Sequence, residues 1–302
     1  MTSVRIVAAV CVVSLFLTAG CNSTPVSKAE RVDDWRLGTS PWSEKLATLD
    51  KAKLAEIESL GFDCIEVGLP YAQNEEQFAG ANAQAERLAE TADEVGIEIW
   101  SVHIPYGPAY DPSLVDDAAR AKAVANIDSL LGAIEPLGAK KAILHASFEP
   151  VKTEERAAKF AACKASLKEI ADIAAGHDIA IAVECLPRTC LGNTSTELLE
   201  LVSVDERLEI CCDTNHLLQE TTEEFVRAAG HRITTLHIAD YDAKDERHWL
   251  PGKGVIDWMA VMDALVETGY TGPFLFECRG TSAEEAEVFA KLKAEYMERV
   301  AK

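Results

Sequence analysis

The chain is short of positive charge. It carries 29 Lys and Arg against 50 Asp and Glu, a net charge of -21 at pH 7. Phosphate backbones are held mainly by Lys and Arg, so nucleic acid is excluded as an expected partner. CxxC spacing is also missing, although there are nine cysteines. Setting aside Cys11 and Cys21 leaves Cys64, Cys163, Cys185, Cys190, Cys211, Cys212 and Cys278, an odd set that does not read as a disulfide framework. Most fall in apolar runs, where Cys packs as a small hydrophobe. Cys185 and Cys190 flank one loop and are the pair a disulfide would join. No GxGxxG or Walker motif follows any strand candidate, which counts against a nucleotide-binding fold. The apolar stretch 6–17 is too short for a membrane-spanning helix.

That stretch has another reading. Arg5 precedes it and Thr18-Ala19-Gly20-Cys21 follows, the pattern of an export signal. The ending resembles a bacterial lipobox, with Cys21 lipidated, although Thr18 stands where Leu is usual. Ordinary secretion or a retained anchor are the alternatives. The expected organisation is a signal peptide over 1–20, a flexible tether over 21–34 and one domain over 35–302. The protein is expected to be exported and lipid-anchored to a bacterial membrane, facing the periplasm or cell exterior, with the anchor as its only membrane contact.

What remains alternates regularly. Strand candidates lie at 36–39, 64–69, 97–103, 141–146, 179–185, 208–214, 233–240 and 273–278. Helical stripes lie between them, such as Phe78, Ala81, Ala85, Leu88, Ala92 and Val95 at steps of three and four. Gly61, Gly96, Gly138, Gly176 and Gly269 sit just ahead of strands, where helix C-caps belong. Eight βα units fit an α/β fold of the (β/α)8 TIM-barrel type as a single domain.

Four of the apolar runs end in a residue able to hold a metal: Glu184, Asp213, His237 and Glu277. Barrel strands meet at their C-terminal ends around one mouth. Three carboxylates brought together there repel one another unless a cation lies among them. His103 and His145 end two further runs, His216 follows Asp213 by three residues, and His248 lies in the loop after the seventh strand. With Glu66 on the second strand, these are the substrate-binding candidates. Glu66 and Asp240 are equally readable as groups that orient the ligands or as structural residues. Lys253 reads as a solvated turn residue, and His177 and His231 as surface positions.

The motifs Val183-Glu184, Asp213-Thr214-Asn215-His216, Leu236-His237-Ile238-Ala239-Asp240, Arg247-His248-Trp249-Leu250-Pro251-Gly252-Lys253-Gly254, Asp257-Trp258 and Phe276-Glu277 together resemble the xylose isomerase-like TIM barrels. That superfamily spans sugar isomerases, ketose 3-epimerases, inosose dehydratases and endonuclease IV. The resemblance implies one divalent cation on Glu184, Asp213, His237 and Glu277, an acid/base pair in Glu184 and Glu277, and a substrate hydrogen bond from His216. Carboxylate-rich ligation suits Mn or Mg, and the imidazoles admit Co or Zn. The further histidines allow a second metal. His103, His145, His216 and His248 also match much of endonuclease IV's three-metal set, with Glu246 in place of an Asp. The acidic balance and export signal argue against DNA repair. The expected function is a metal-dependent sugar isomerase or epimerase working through an enediolate on an unphosphorylated sugar or keto-sugar. The alternatives are a keto-sugar or inosose dehydratase or lyase, a non-catalytic sugar-binding lipoprotein, and an endonuclease IV-like metal hydrolase.

Overall fold

The computed structural model describes residues 27–41 and 44–302. The signal segment 1–20, Cys21 with its lipidation, and 22–26 of the expected tether lie outside the described residues. Eight strands alternate with helices: β1 Leu37–Thr39, β2 Cys64–Gly68, β3 Glu98–His103, β4 Lys141–His145, β5 Ala180–Glu184, β6 Glu209–Asp213, β7 Ile233–His237 and β8 Phe274–Phe276. The helices are α1 Lys28–Asp33, α2 Lys51–Ser59, α3 Glu75–Val95, α4 Asp117–Ile134, α5 Thr153–Gly176, α6 Ser195–Val202, α7 Thr222–Ala229, α8 Trp258–Thr268 and α9 Ser282–Val300.

The strands pair in parallel in the order β7-β6-β5-β4-β3-β2-β1-β8. Just beyond β7, Ile238 bridges Phe276, and the Ile238 amide donates to the Leu275 carbonyl at 2.8 Å, which closes the barrel. This is a (β/α)8 TIM barrel. The core lies between strands and helices. Ala81, Ala85, Leu88 and Ala92 are buried on α3, and Cys163, Leu167, Ile170 and Ala174 on α5, as their helical spacing requires.

Strand periodicity sets what fills the barrel, because every second residue points inward. On β4, β5 and β6 these residues form layers. At the bottom Lys141 Nζ donates to Glu209 Oε2 at 2.5 Å. Ile143, Ala182 and Cys211 form a small buried cluster above. His145, Glu184 and Asp213 come next in the same alternation, at the C-terminal ends. An apolar run ending in a ligand is therefore an inward-pointing row whose last member reaches the mouth.

Three expectations need correction. The tether does not extend to residue 34, since α1 is a helix with a Ser27/Glu30 capping box and a fully buried Val32. Lys293 Nζ also donates to the Asp33 carbonyl at 2.7 Å. Six residues with one buried apolar position are too few to show a period. Gly176 is not a cap: α5 runs through it, and the left-handed φ falls at Asp178 (+57°). The seventh strand stops at His237 rather than 240, because Asp240 turns away to pair antiparallel with Trp249. The seven cysteines among the described residues are buried and free, so no Cys185–Cys190 disulfide forms.

Candidate metal centre and active site

Glu184, Asp213 and His237 end β5, β6 and β7, and Glu277 follows β8 by one residue. One ligand atom from each lies within 4.8 Å of the other three. His237 is the hinge of the arrangement. Its Nε2 donates to Glu66 Oε1 at 2.9 Å, and Glu66 Oε2 accepts from Ser101 Oγ at 2.6 Å. With Nε2 so occupied, Nδ1 faces Glu184 Oε1 at 3.1 Å, Glu277 Oε2 at 3.2 Å and Asp213 Oδ2 at 3.9 Å. Glu66 is fully buried beneath the mouth and is not part of the cavity wall. It is therefore not a substrate-binding residue; it fixes the ring and tautomer of His237.

Electrostatics then test whether a cation fits. Glu184, Asp213 and His237 are at most 1% exposed, and Asp213 Oδ2 has no hydrogen-bond partner. Burial pushes the Asp213 carboxyl up to about 8; His216 and His237 oppose this, while Glu184 and Glu277 add to it. Burial also disfavours charge on Glu184 and Glu277, yet His145 and His237 hold Glu184 well below its ordinary value, and His237 draws Glu277 to about 2. An orphaned carboxylate oxygen, two ionised carboxylates and an imidazole nitrogen within one small sphere make a donor set that fits a divalent cation.

Three of the other four mouth histidines share one geometry. His103 Nδ1 faces the Ile104 carbonyl at 2.9 Å, His216 Nδ1 the Cys185 carbonyl at 3.0 Å and His248 Nδ1 the Glu277 carbonyl at 3.2 Å. Each carbonyl requires a proton on Nδ1, which leaves Nε2 of the neutral ring as an acceptor. In two of them that acceptor meets a carboxylate: His103 Nε2 lies 3.2 Å from Glu184 Oε2, and His216 Nε2 lies 3.1 Å from Glu246 Oε2. His145 Nε2 lies 2.8 Å from the same Glu184 oxygen. A proton or a cation must sit between such pairs. Two further groups with metal-ligand spacing result, His103/His145/Glu184 and His216/Glu246/His248.

The motif residues between the ligands hold the mouth together. Thr214 Oγ1 donates to the Ala239 carbonyl at 2.6 Å and accepts from the Ala239 amide at 3.0 Å. Asn215 Oδ1 accepts from the amides of Arg247 and His248 at 2.7 and 2.9 Å. That pins His248 at φ +53°, a strained conformation for a residue with a Cβ. Asp240 accepts from Gly252, Ile256 and the Trp258 indole at 2.9, 3.2 and 3.1 Å, so it organises the loop rather than a ligand. Lys253 is exposed on that loop.

Above the centre lies a cavity of about 270 Å3, its wall including His103, His145, His216 and His248. The sequence reading overlooked Arg188, which lines it too. Its guanidinium pairs with Glu149, with Asp245 at 2.7 Å and with Glu246 at 3.1 Å, tying three mouth loops together. Its place in Leu186-Pro187-Arg188, directly after the strand bearing Glu184, was the available signal. Of the two tyrosines in 104–112, Tyr106 lines the cavity. Tyr110 is buried and hydrogen-bonds the Ala72 carbonyl.

A closed parallel barrel with four convergent residues able to hold a metal at its C-terminal mouth defines a class, the (β/α)8 barrels with a candidate metal site. Within it, the family model for xylose isomerase-like TIM barrels matches residues 54–298, and the chain belongs to that family. The uncharacterized protein MJ1311 of Methanocaldococcus jannaschii is 30% identical over 221 residues, covering 70% of this chain and 74% of its own. The D-psicose 3-epimerase of Enterocloster bolteae is 25% identical over 267 residues, covering 82% and 84%. A crystal structure of a D-tagatose 3-epimerase-like protein superposes with a TM-score of 0.72 at 24% identity, over 88% of this chain and 98% of that one. Relatives with named activities are sugar epimerases and isomerases.

Proposed function

We propose that the protein is a divalent-metal-dependent sugar isomerase or epimerase that moves a proton through an enediolate on an unphosphorylated sugar or keto-sugar. The observation that carries this reading is the placement of two ionised carboxylates, Glu184 and Glu277, 3.1 and 3.2 Å from His237 Nδ1 in the wall of the cavity. A bound cation supplies Lewis-acid stabilisation of negative charge on the substrate oxygens. One carboxylate takes the proton from the carbon next to the carbonyl, and the other returns it from the opposite face. His216 is assigned a hydrogen bond to a substrate oxygen, for which its Nε2 would exchange Glu246 Oε2, 3.1 Å away, for the substrate. Of the two arginines lining the cavity, Arg188 and Arg279, Arg188 is already engaged by three carboxylates.

The test is solvent deuterium entering recovered keto-sugar without loss of water. Glu184→Gln and Glu277→Gln proteins, metal-loaded, are expected to lose exchange; wild-type rates in both would sink the acid/base assignment. A dehydratase or lyase acting through the same enediolate would release water instead.

A second reading rests on the two flanking histidine groups. They would hold further cations, for which metal analysis at saturation would find more than one equivalent per chain, as a lyase or hydrolase could use. We also propose export and lipidation at Cys21. Labelling with a tagged fatty acid should be lost in Cys21→Ala, and equal labelling would refute the anchor.

A further inference from the structure

Among the described residues, the mouth holds two cavities rather than one. The first, of about 270 Å3, spreads over the β4 to β7 side of the metal centre. The second, of about 450 Å3, lies on the β1 to β3 side, its wall including Ser40, Glu44, Lys45, Leu69 and Tyr71. Both are bounded by His103, Tyr106 and Glu277. Of the acid/base pair, Glu277 therefore stands at the junction and Glu184 lines the first cavity alone. Small-ligand sites run from about 300 to 1,000 Å3, so the first cavity alone falls just below that range and the second lies within it.

The wall of the second cavity is aromatic and open, with Tyr106 shared with the first cavity and Tyr71 lining the second alone. Tyr106 is 61% exposed and Tyr71 44%. One face of the Tyr106 ring is covered by His145, stacked at 4.9 Å with planes 7° apart, and its exposure comes from the remainder. Tyr71 is held by an edge contact with Tyr110 and by the Ala109 amide donating to its hydroxyl at 3.3 Å. Large apolar side chains fixed in place yet left in solvent mark a ligand groove. Flat aromatic faces beside Ser and Lys suit the C–H face and hydroxyl rim of a sugar.

We propose, building on the function given above, that the substrate is a glycosylated keto-sugar. The reacting ring lies over Glu184 and Glu277, and a second sugar ring lies in the adjoining cavity against Tyr71 and Tyr106. Tyr71 is then a specificity residue that touches only the second ring.

The experiment compares D-fructose with lactulose and isomaltulose, ketoses carrying a second hexose on O4 or O6, on the metal-loaded full-length protein. Saturation-transfer NMR on wild type should show the second ring's protons saturated; an unsaturated second ring overturns the proposal. Deuterium exchange should give kcat/KM at least tenfold higher for a disaccharide than for fructose. Tyr71→Ala should remove that advantage while leaving the fructose rate unchanged. Equal loss on both substrates, or none on either, also overturns it. Absence of exchange with every sugar would refute the catalytic reading, and the NMR result would still decide the second-ring site.

Discussion

Replacing Asp213 with Asn should stabilise the metal-free protein and remove its response to metal. In the folded chain the Asp213 carboxyl is fully buried, has one unpartnered oxygen, and is pushed from 3.8 up to about 8. Each unit of such a shift is worth about 1.4 kcal/mol, so without a cation folding at pH 8 costs several kcal/mol at this one group. Asn keeps the shape and the hydrogen bond from the Asn215 amide to Oδ1, 2.7 Å in the native protein, and carries no charge to bury. A net gain of about 2 kcal/mol or more is expected, or roughly 5 °C in Tm at 2–4 °C per kcal/mol. A saturating divalent ion at about 100 times its Kd should add about 2.7 kcal/mol to wild type and almost nothing to the variant. Differential scanning fluorimetry of chelator-treated and Mn-loaded proteins reads both effects. An Asp213→Asn protein that is less stable without metal, or that gains as much from metal as wild type, would refute the electrostatic reasoning.

Glu66→Gln should weaken metal binding by about 10–100-fold, since His237 loses the carboxylate that fixes its tautomer; an unchanged Kd by isothermal titration would show that Glu66 does not orient it. Burial pushes Glu285 up to about 8, despite a hydrogen bond from Thr39. The folded state therefore binds the extra proton, and stability should fall as pH rises from about 4.5 to about 8. Urea midpoints of Glu285→Gln should lack that part of the decline, and identical pH profiles would contradict it. Val32→Ala should cost about 1–3 kcal/mol because α1 is docked in the core; no change in the urea midpoint would return α1 to the tether.

Periodicity carried the barrel because strands and helices write period 2 and period 3.6 over many residues. The same alternation exposed Glu184, Asp213 and His237 as inward-pointing ends of buried rows. It failed where signals are short or tertiary. One turn of helix at 28–33 has a single buried residue, Val32. Glu66 sits on a strand like the other candidates, and only the hydrogen bond across the barrel to His237 shows that it supports a ligand instead of facing substrate. Arg188 belongs to a loop, and its role depends on Glu149 and Glu246 arriving from two other loops. Sequence spacing along one segment holds no record of such convergence.

The central claim is that one doubly charged ion joins Glu184, Asp213, His237 and Glu277. An anomalous difference map from crystals soaked in Zn2+ addresses it directly. The expected result is a peak about 2.0–2.2 Å from His237 Nδ1 and from an oxygen of each of the three carboxylates. A saturated crystal with no peak among these four residues would contradict it.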